Sequence, residues 1–268
     1  MTPLLEVRDL TAGFGATTVL HGVSFDVPRG SIAGVFGLNG AGKSVTMKTI
    51  GGVVPARSGT VVLDGTDITG LTPEQRVGLG MGHVPQGRQV FPGLTVEENL
   101  RLGAYTLRRR AKGRYRAALD GVYDRFPVLR ERRNQLAGTM SGGQQAALSV
   151  GRALVNEPSV ILVDEPSAGL SPIAALELHA VLRAVSASGV TMVLVEQNVA
   201  FGLSLVDTAH LMQTGVVVHS SPVGELDNDT LATHLGIGTV LRAATGSALA
   251  ARQAPTTRKA VPRARRPA

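Results

Sequence analysis

The chain alternates short apolar runs with stretches of helical period, which is the pattern of an α/β protein. Residues 4–10 (LLEVRDL) and residues 17–27 alternate apolar and polar positions and are joined by a short glycine-containing turn, predicting two antiparallel strands. Residues 31–36 (SIAGVF) predict a buried strand that runs straight into a glycine-rich loop, and VVLDG (61–65) a strand ending in a turn. Thr72 and Gln75 form a capping box with Pro73 at the first helical position, and Thr95 and Glu98 form a second box ahead of ENLRLGAY. Tyr115, Leu119, Val122 and Phe126 share one helical face, so residues 95–136 predict an all-helical insertion in the α/β body. SVILVDE (159–165) and VTMVLVE (190–196) predict strands, and the segment between them predicts a helix capped by Ser171 with Pro172 at its start. Strands that are apolar throughout suit a parallel sheet covered on both faces.

Composition sharpens this picture. The 268 residues are 43% hydrophobic and 18% charged, ordinary for a globular protein. The absence of cysteine excludes disulfide scaffolds, thiol catalysis and Cys-based zinc sites. Glu6 and Asp9 stand where a signal peptide needs an apolar run, and stretches such as VTMVLV are too short to span a bilayer, so an intracellular, soluble chain is expected. The net charge of +7 sits at one end: beyond Gly236 lie seven of the 27 Lys and Arg residues and no Asp or Glu, and the body balances 20 basic against 20 acidic residues. The expected division is a folded body over residues 1–237, with the helical part at about 95–140, and a basic, disordered tail over 238–268. That tail carries no interleaved aromatics, so no specific nucleic acid is expected. A basic run at Arg108, Arg109, Arg110, Lys112, Arg114 and Arg116 reads as a solvated helix face, with contact to anionic lipid headgroups as the sharper alternative. The six histidines show no metal-ligand spacing.

Three motifs carry chemistry. GLNGAGKS (Gly37, Leu38, Asn39, Gly40, Ala41, Gly42, Lys43, Ser44) matches G-x-x-x-x-G-K-[ST] between a predicted strand and a predicted helix. Its glycines let backbone N–H groups turn inward around phosphate oxygens, and the helix that follows presents its positive end. Lys43 can reach the β- and γ-phosphates, and the Ser44 hydroxyl can bind Mg²⁺. VILVDE delivers Asp164 to a strand end as a second Mg²⁺ ligand, with Glu165 next to it as a base for the attacking water. MSGGQQ (140–145) sets a Ser141 cap and two glycines at the positive end of a helix, a second anion site. Two copies facing each other head to tail would use both sites, each loop closing over the partner's nucleotide.

In this order the three motifs resemble the ATP-binding subunits of ABC transporters, over roughly residues 4–236. The resemblance implies the P-loop NTPase fold of ABC ATPases, with an antiparallel β subdomain and the helical insertion touching the membrane subunits. It implies ATP and Mg²⁺ as cofactors. The ATP contacts would come from residues 37–44 and Val45, from Phe14 stacking on adenine, and from Ser141, Gly142, Gly143 and Gln144 reaching the partner's nucleotide. Gln86, in VPQGR, would be the loop glutamine near Mg²⁺ at the hinge to the insertion, and Gln197, in VEQN, would stand at the switch-histidine position. Such a glutamine can donate a neutral hydrogen bond but carries no proton. Ser171 stands where the family has the aspartate that contacts the partner subunit.

VPQGRQVFPGLTVEENLRLGAY, DEPSAGLSP and LVEQN narrow the resemblance to one ATPase subunit of branched-chain amino acid importers, with amide and urea importers similar. The implied partners are two transmembrane permease subunits, a second, different ATPase and, indirectly, a substrate-binding protein. The implied place is peripheral, on the cytoplasmic face of the inner membrane. An exporter ATPase, an ABC ATPase acting on nucleic acid and a nucleotide-binding module without turnover are the alternatives.

Overall fold

A computed structural model describes residues 3–87, 89–110 and 113–236. The basic tail, Lys112 and the side chains of Arg108, Arg109 and Arg110 therefore lie outside the described residues.

Two sheets organise the chain. The first is antiparallel, in the order β2-β1-β4-β5, and comprises β1 (Pro3–Phe14), β2 (Thr17–Pro28), β4 (Ala56–Leu63) and β5 (Thr66–Asp67). The second runs β10-β9-β3-β8-β7-β6, from β3 (Ile32–Phe36), β6 (Met81–Val84), β7 (Val160–Asp164), β8 (Thr191–Glu196), β9 (Thr208–Gln213) and β10 (Val216–Pro222). Its strands are parallel except for β10, which turns back along β9.

The predicted α/β architecture is present, and the burial pattern shows why its central strands are apolar throughout. Ala33, Val35, Leu162, Val193 and Val195 face the antiparallel sheet and share a core with Leu5, Val7 and Leu20. Helix α1 (Lys43–Ile50) enters that core through Met47 and Ile50. The alternate positions, Ile32, Phe36, Ile161, Val163, Met192 and Leu194, face the opposite way into a core built with helices. Each strand thus buries both faces, and the alternation signal disappears.

The helical side begins with α2 (Pro73–Gly78), whose predicted capping box is formed: Thr72 Oγ1 accepts from Gln75 N, and Gln75 Oε1 accepts from Thr72 N. The insertion holds α3 (Val96–Gly103), α4 (Tyr105–Arg110), α5 (Tyr115–Arg125) and α6 (Pro127–Glu131). Leu119, Val122 and Phe126 are buried as their spacing predicts, and Tyr115 packs against them half-buried. A single antiparallel bridge, Thr95 to Leu136, pins the two ends of the insertion together. Arg114 pairs with Glu157 at 2.8 Å and Arg116 is exposed, so these two members of the basic run are solvated surface.

The insertion returns to the body through α7 (Gly142–Leu154), which buries most of its length. Helix α8 (Pro172–Ala187) follows β7, α9 (Val199–Leu203) follows β8, and α10 (Asn228–Leu235) closes the described chain. The glycine-rich loop leaves β3, Asp164 ends β7 and Glu196 ends β8. Because β3, β8 and β7 are neighbours in register, these three points share one edge of the sheet. In open parallel sheets, ligands bind at the carboxyl ends of the strands.

Candidate nucleotide site

Residues 37–44 wrap the start of α1. Gly42 stands at the N-cap with φ 103°, a left-handed conformation that strains any residue with a Cβ. Gly37 runs so close to β9 that a Cβ there would lie 2.4 Å from the Met212 carbonyl oxygen. The loop is tied down by Ala41 N donating to Leu38 O at 3.1 Å and Gly215 N donating to Ala41 O at 2.9 Å. No side chain caps α1 and no acidic residue lies in its first turn, so no side chain of the helix itself competes for its opening N–H groups. Such an end is an anion site by hydrogen bonding and by helix dipole.

Lys43 is buried, and its ammonium donates to Gly37 O at 2.8 Å and Leu38 O at 3.1 Å. Burial lowers its pKa; Glu165, Asp164 and Glu196 oppose that and hold the charge. Ser44 and Val45 follow, half-buried, in the first turn. A cleft of about 470 Å³ opens beside the loop, lined by Gly37, Leu38, Asn39, Gln197, Val199 and Leu235. Gln197 is thus exposed directly against the phosphate loop.

Asp164 is buried, and its Oδ1 has no hydrogen-bond partner. Burial raises its pKa, neighbouring Glu165 raises it further, and Lys48 and Lys43 pull it back. A buried carboxylate oxygen without a donor is costly unless a ligand satisfies it. A hard divalent cation fits, since the Ser44 hydroxyl and the Asp164 carboxylate are oxygen donors of the kind Mg²⁺ takes.

Glu165 occupies a left-handed conformation (φ 42°), with its N–H donating to Val195 O at 2.9 Å. Its Oε2 accepts from Gln86 Nε2 at 2.7 Å. Strain of this kind in a non-glycine residue clusters at functional sites. Gln86 itself is exposed, just beyond β6.

The 140–145 segment lies elsewhere. Ser141 Oγ accepts from Gln144 N at 3.3 Å, and Gln144 Oε1 accepts from Ser141 N at 3.1 Å, so both side chains form a capping box on α7. Glu177 of α8 lies against Gly143, where a Cβ would collide with its carboxylate. No residue of the segment, Gly142 included, lines the cleft beside the phosphate loop. Phe14 is 54% exposed at the end of β1, so it is no core aromatic. Ser171 is occupied as the cap of α8, accepting from Ala174 N at 3.3 Å.

Sequence reasoning passed over three residues. Glu196, buried at the end of β8, accepts from both the N–H and the hydroxyl of Ser167 at 2.9 Å and from Asn198 N at 3.2 Å. Its signal was available, since an acidic residue ending an apolar strand was the reason to single out Asp164. Asn99 of α3 is fully buried, accepts from Phe91 N and donates to Phe91 O, Leu94 O and Thr95 O. Arg152 of α7 donates to Gln89 O at 2.7 Å and lies over the Phe91 ring. Together Asn99 and Arg152 fasten the segment after Gln86 to both the insertion and α7.

A phosphate loop, an acidic strand end and a helical insertion on a mixed sheet define an ATP-binding cassette. Residues 20–168 match the family model described as "ABC transporter", and the chain belongs to that family. It is 39% identical over 226 residues to the high-affinity branched-chain amino acid transport ATP-binding protein BraG of Pseudomonas aeruginosa, covering 84% of this chain and 96% of that one. The probable branched-chain amino acid transport ATP-binding protein LivF of Archaeoglobus fulgidus is 40% identical over 225 residues, covering 83% and 94%. The lipopolysaccharide export system ATP-binding protein LptB of Escherichia coli is more distant, at 28% over 227 residues, covering 84% and 93%. Among solved structures, the ADP conformation of an ATP-binding cassette of an ABC transporter superposes with a TM-score of 0.76 at 25% identity, covering 92% of this chain and all of that one.

Proposed function

We propose that the chain is the ATP-hydrolysing subunit of an importer for branched-chain amino acids or related small amides, acting with separate membrane subunits. The observation that carries the reading is the Gln86–Glu165 hydrogen bond, which joins the candidate base to the loop leading into the helical insertion. The substrate class is supported by the similarity to BraG and LivF, and the greater distance of LptB favours import over export.

Lys43 and the N–H groups opening α1 hold and neutralise the β- and γ-phosphates. Ser44 and Asp164, with Gln86 nearby, would hold Mg²⁺, which would supply charge neutralisation on the transferring phosphoryl group. Glu165 orients the attacking water and takes its proton. Gln197 donates a neutral hydrogen bond toward the γ-phosphate. Phe14, exposed on the antiparallel sheet, offers its face to adenine. Ser141, Gly142, Gly143 and Gln144 are reserved for the nucleotide of a second ATPase facing this one, since they lie away from this chain's own phosphate loop.

Nucleotide closure is passed to the membrane subunits at a groove of about 420 Å³ lined in part by Phe91, Leu102 and Arg152. Leu79 and Tyr105 line its neighbour, and all four non-arginine side chains are exposed. Among the described residues no helix is long and apolar enough to cross a membrane. The similarity to BraG and LivF supports a peripheral place on the cytoplasmic face, beside membrane-spanning partners.

Replacing Glu165 by Gln keeps an acceptor for Gln86 and removes the base. ATP turnover should fall about 10²-fold or more while ATP binding persists. Turnover at the wild-type rate would refute the assignment of Glu165.

A further inference from the structure

Glu196 is one of two acidic side chains buried among the described residues, and no salt bridge reaches it. A buried carboxylate outside any salt bridge is expensive, and an apolar or amide residue would fill the same space more cheaply unless both oxygens are needed. Here both are used. Oε1 takes the Ser167 N–H at 2.9 Å; Oε2 takes the Ser167 hydroxyl at 2.9 Å and the Asn198 N–H at 3.2 Å. These donors come from two different loops. Ser167 lies two residues beyond Glu165, in the segment that runs to the Ser171 cap of α8. Asn198 follows Gln197 and caps α9, accepting from Phe201 N at 3.1 Å. Glu165 is held on its other side by Val195, the residue before Glu196.

We propose that Glu196 is a positioning residue whose buried carboxylate clamps the loop carrying Glu165 and Ser167 to the loop carrying Gln197 and Asn198. The clamp sets the spacing between the base and the switch glutamine across the cleft they share, and it fixes the start of the loop that runs to the Ser171 cap. A carboxylate is required because three donors converge on it. Glutamine would turn an NH₂ toward either Ser167 or Asn198 and break one side of the clamp. Ser167 and Glu196 both line the cleft of about 280 Å³ that also contains Glu165 and Gln197, so the clamp borders the reacting centre.

This inference rests on the ATPase reading above, and the test separates the two. The full-length protein is assayed for steady-state ATP hydrolysis, for binding of a fluorescent ATP analogue and for thermal unfolding. The variants are Glu196→Gln, Ser167→Ala and the double substitution. The expected result is a fall in kcat of about tenfold or more for Glu196→Gln, with nucleotide Kd changed by less than about twofold. Ser167→Ala should lower kcat less, and the double variant should be no slower than Glu196→Gln alone, because both changes break the same clamp. A merely structural role predicts a lower Tm with kcat per folded molecule intact, or effects that multiply in the double variant, and either overturns the proposal. If Glu196→Gln does not fold, Ser167→Ala decides: an unchanged kcat overturns the clamp and a reduced kcat at unchanged Kd supports it. Absence of hydrolysis by the wild-type protein would instead overturn the ATPase reading itself.

Discussion

His210 gives the fold a measurable acid sensitivity. It lies in β9, paired with Val35 of β3, the strand that launches the phosphate loop. The ring is buried against Phe25, its Nδ1 meets Ser220 Oγ at 2.8 Å, and its Nε2 has no partner. Burial pushes its pKa down to about 4, with Asp26 pulling weakly the other way. The unfolded chain titrates near the ordinary histidine value, so between pH 6.5 and 4 the unfolded state binds the extra proton. Stability is therefore full above pH 6.5 and is lost as pH falls, approaching ~3 kcal/mol below pH 4. Urea unfolding at several pH values, comparing wild type with His210→Gln, isolates this contribution. Asp164 and Glu196, whose pKa values burial raises, contribute equally to both proteins and cancel in the difference. The variant is expected to lose stability less steeply below pH 6.5. Parallel curves for the two proteins would refute the assignment of a neutral, buried imidazole.

Other outcomes follow from the same packing. Arg76 is buried and donates to the carbonyls of Thr49, Ile50, Thr69 and Leu71, closing the far end of the helix that carries Lys43. Arg76→Met strands those carbonyls and should cost ~3–5 kcal/mol, a fall in Tm of roughly 10 °C by calorimetry. Lys43→Ala removes the charge-assisted contact to phosphate and should weaken ATP binding about 100-fold in a fluorescence titration; unchanged affinity would count against the phosphate-loop reading. Asn99→Ala frees both backbone groups of Phe91 and should cost ~2–4 kcal/mol, with faster proteolysis in the 87–94 segment as the local signature.

Much of this architecture is legible in the residues. The central strands announce themselves because a parallel sheet buried on both faces leaves no polar positions in residues 160–163 or 192–195. Capping boxes at Thr72 and Thr95 and the Ser141 cap mark three helix starts, because their chemistry is local to four residues. Non-local features are harder to read. Strand β6 is four residues long and interrupted by Gly82, and β9 hides a buried histidine inside its apolar run. The order that sets β3 between β8 and β9 depends on crossovers that no local pattern encodes. At the site, the phosphate loop and Asp164 were visible from motif and context. Glu196 carries the same signal as Asp164, an acidic end to an apolar strand, whereas Asn99 and Arg152 carry none, because their partners lie in distant loops and a single amide or basic residue has no period.

The bond between Gln86 and Glu165 joins the candidate base to the loop that leads into the insertion, and the proposed coupling to membrane subunits rests on it. The most direct measurement is partner capture with the Glu165→Gln protein, tagged at its N-terminus and purified from its own cells in mild detergent, with and without ATP and Mg²⁺. The account predicts that two multi-span membrane proteins and a second, different ATPase co-purify, with the ATPase pairing dependent on ATP. Recovery of ribosomal or DNA-repair factors with no membrane protein would contradict it.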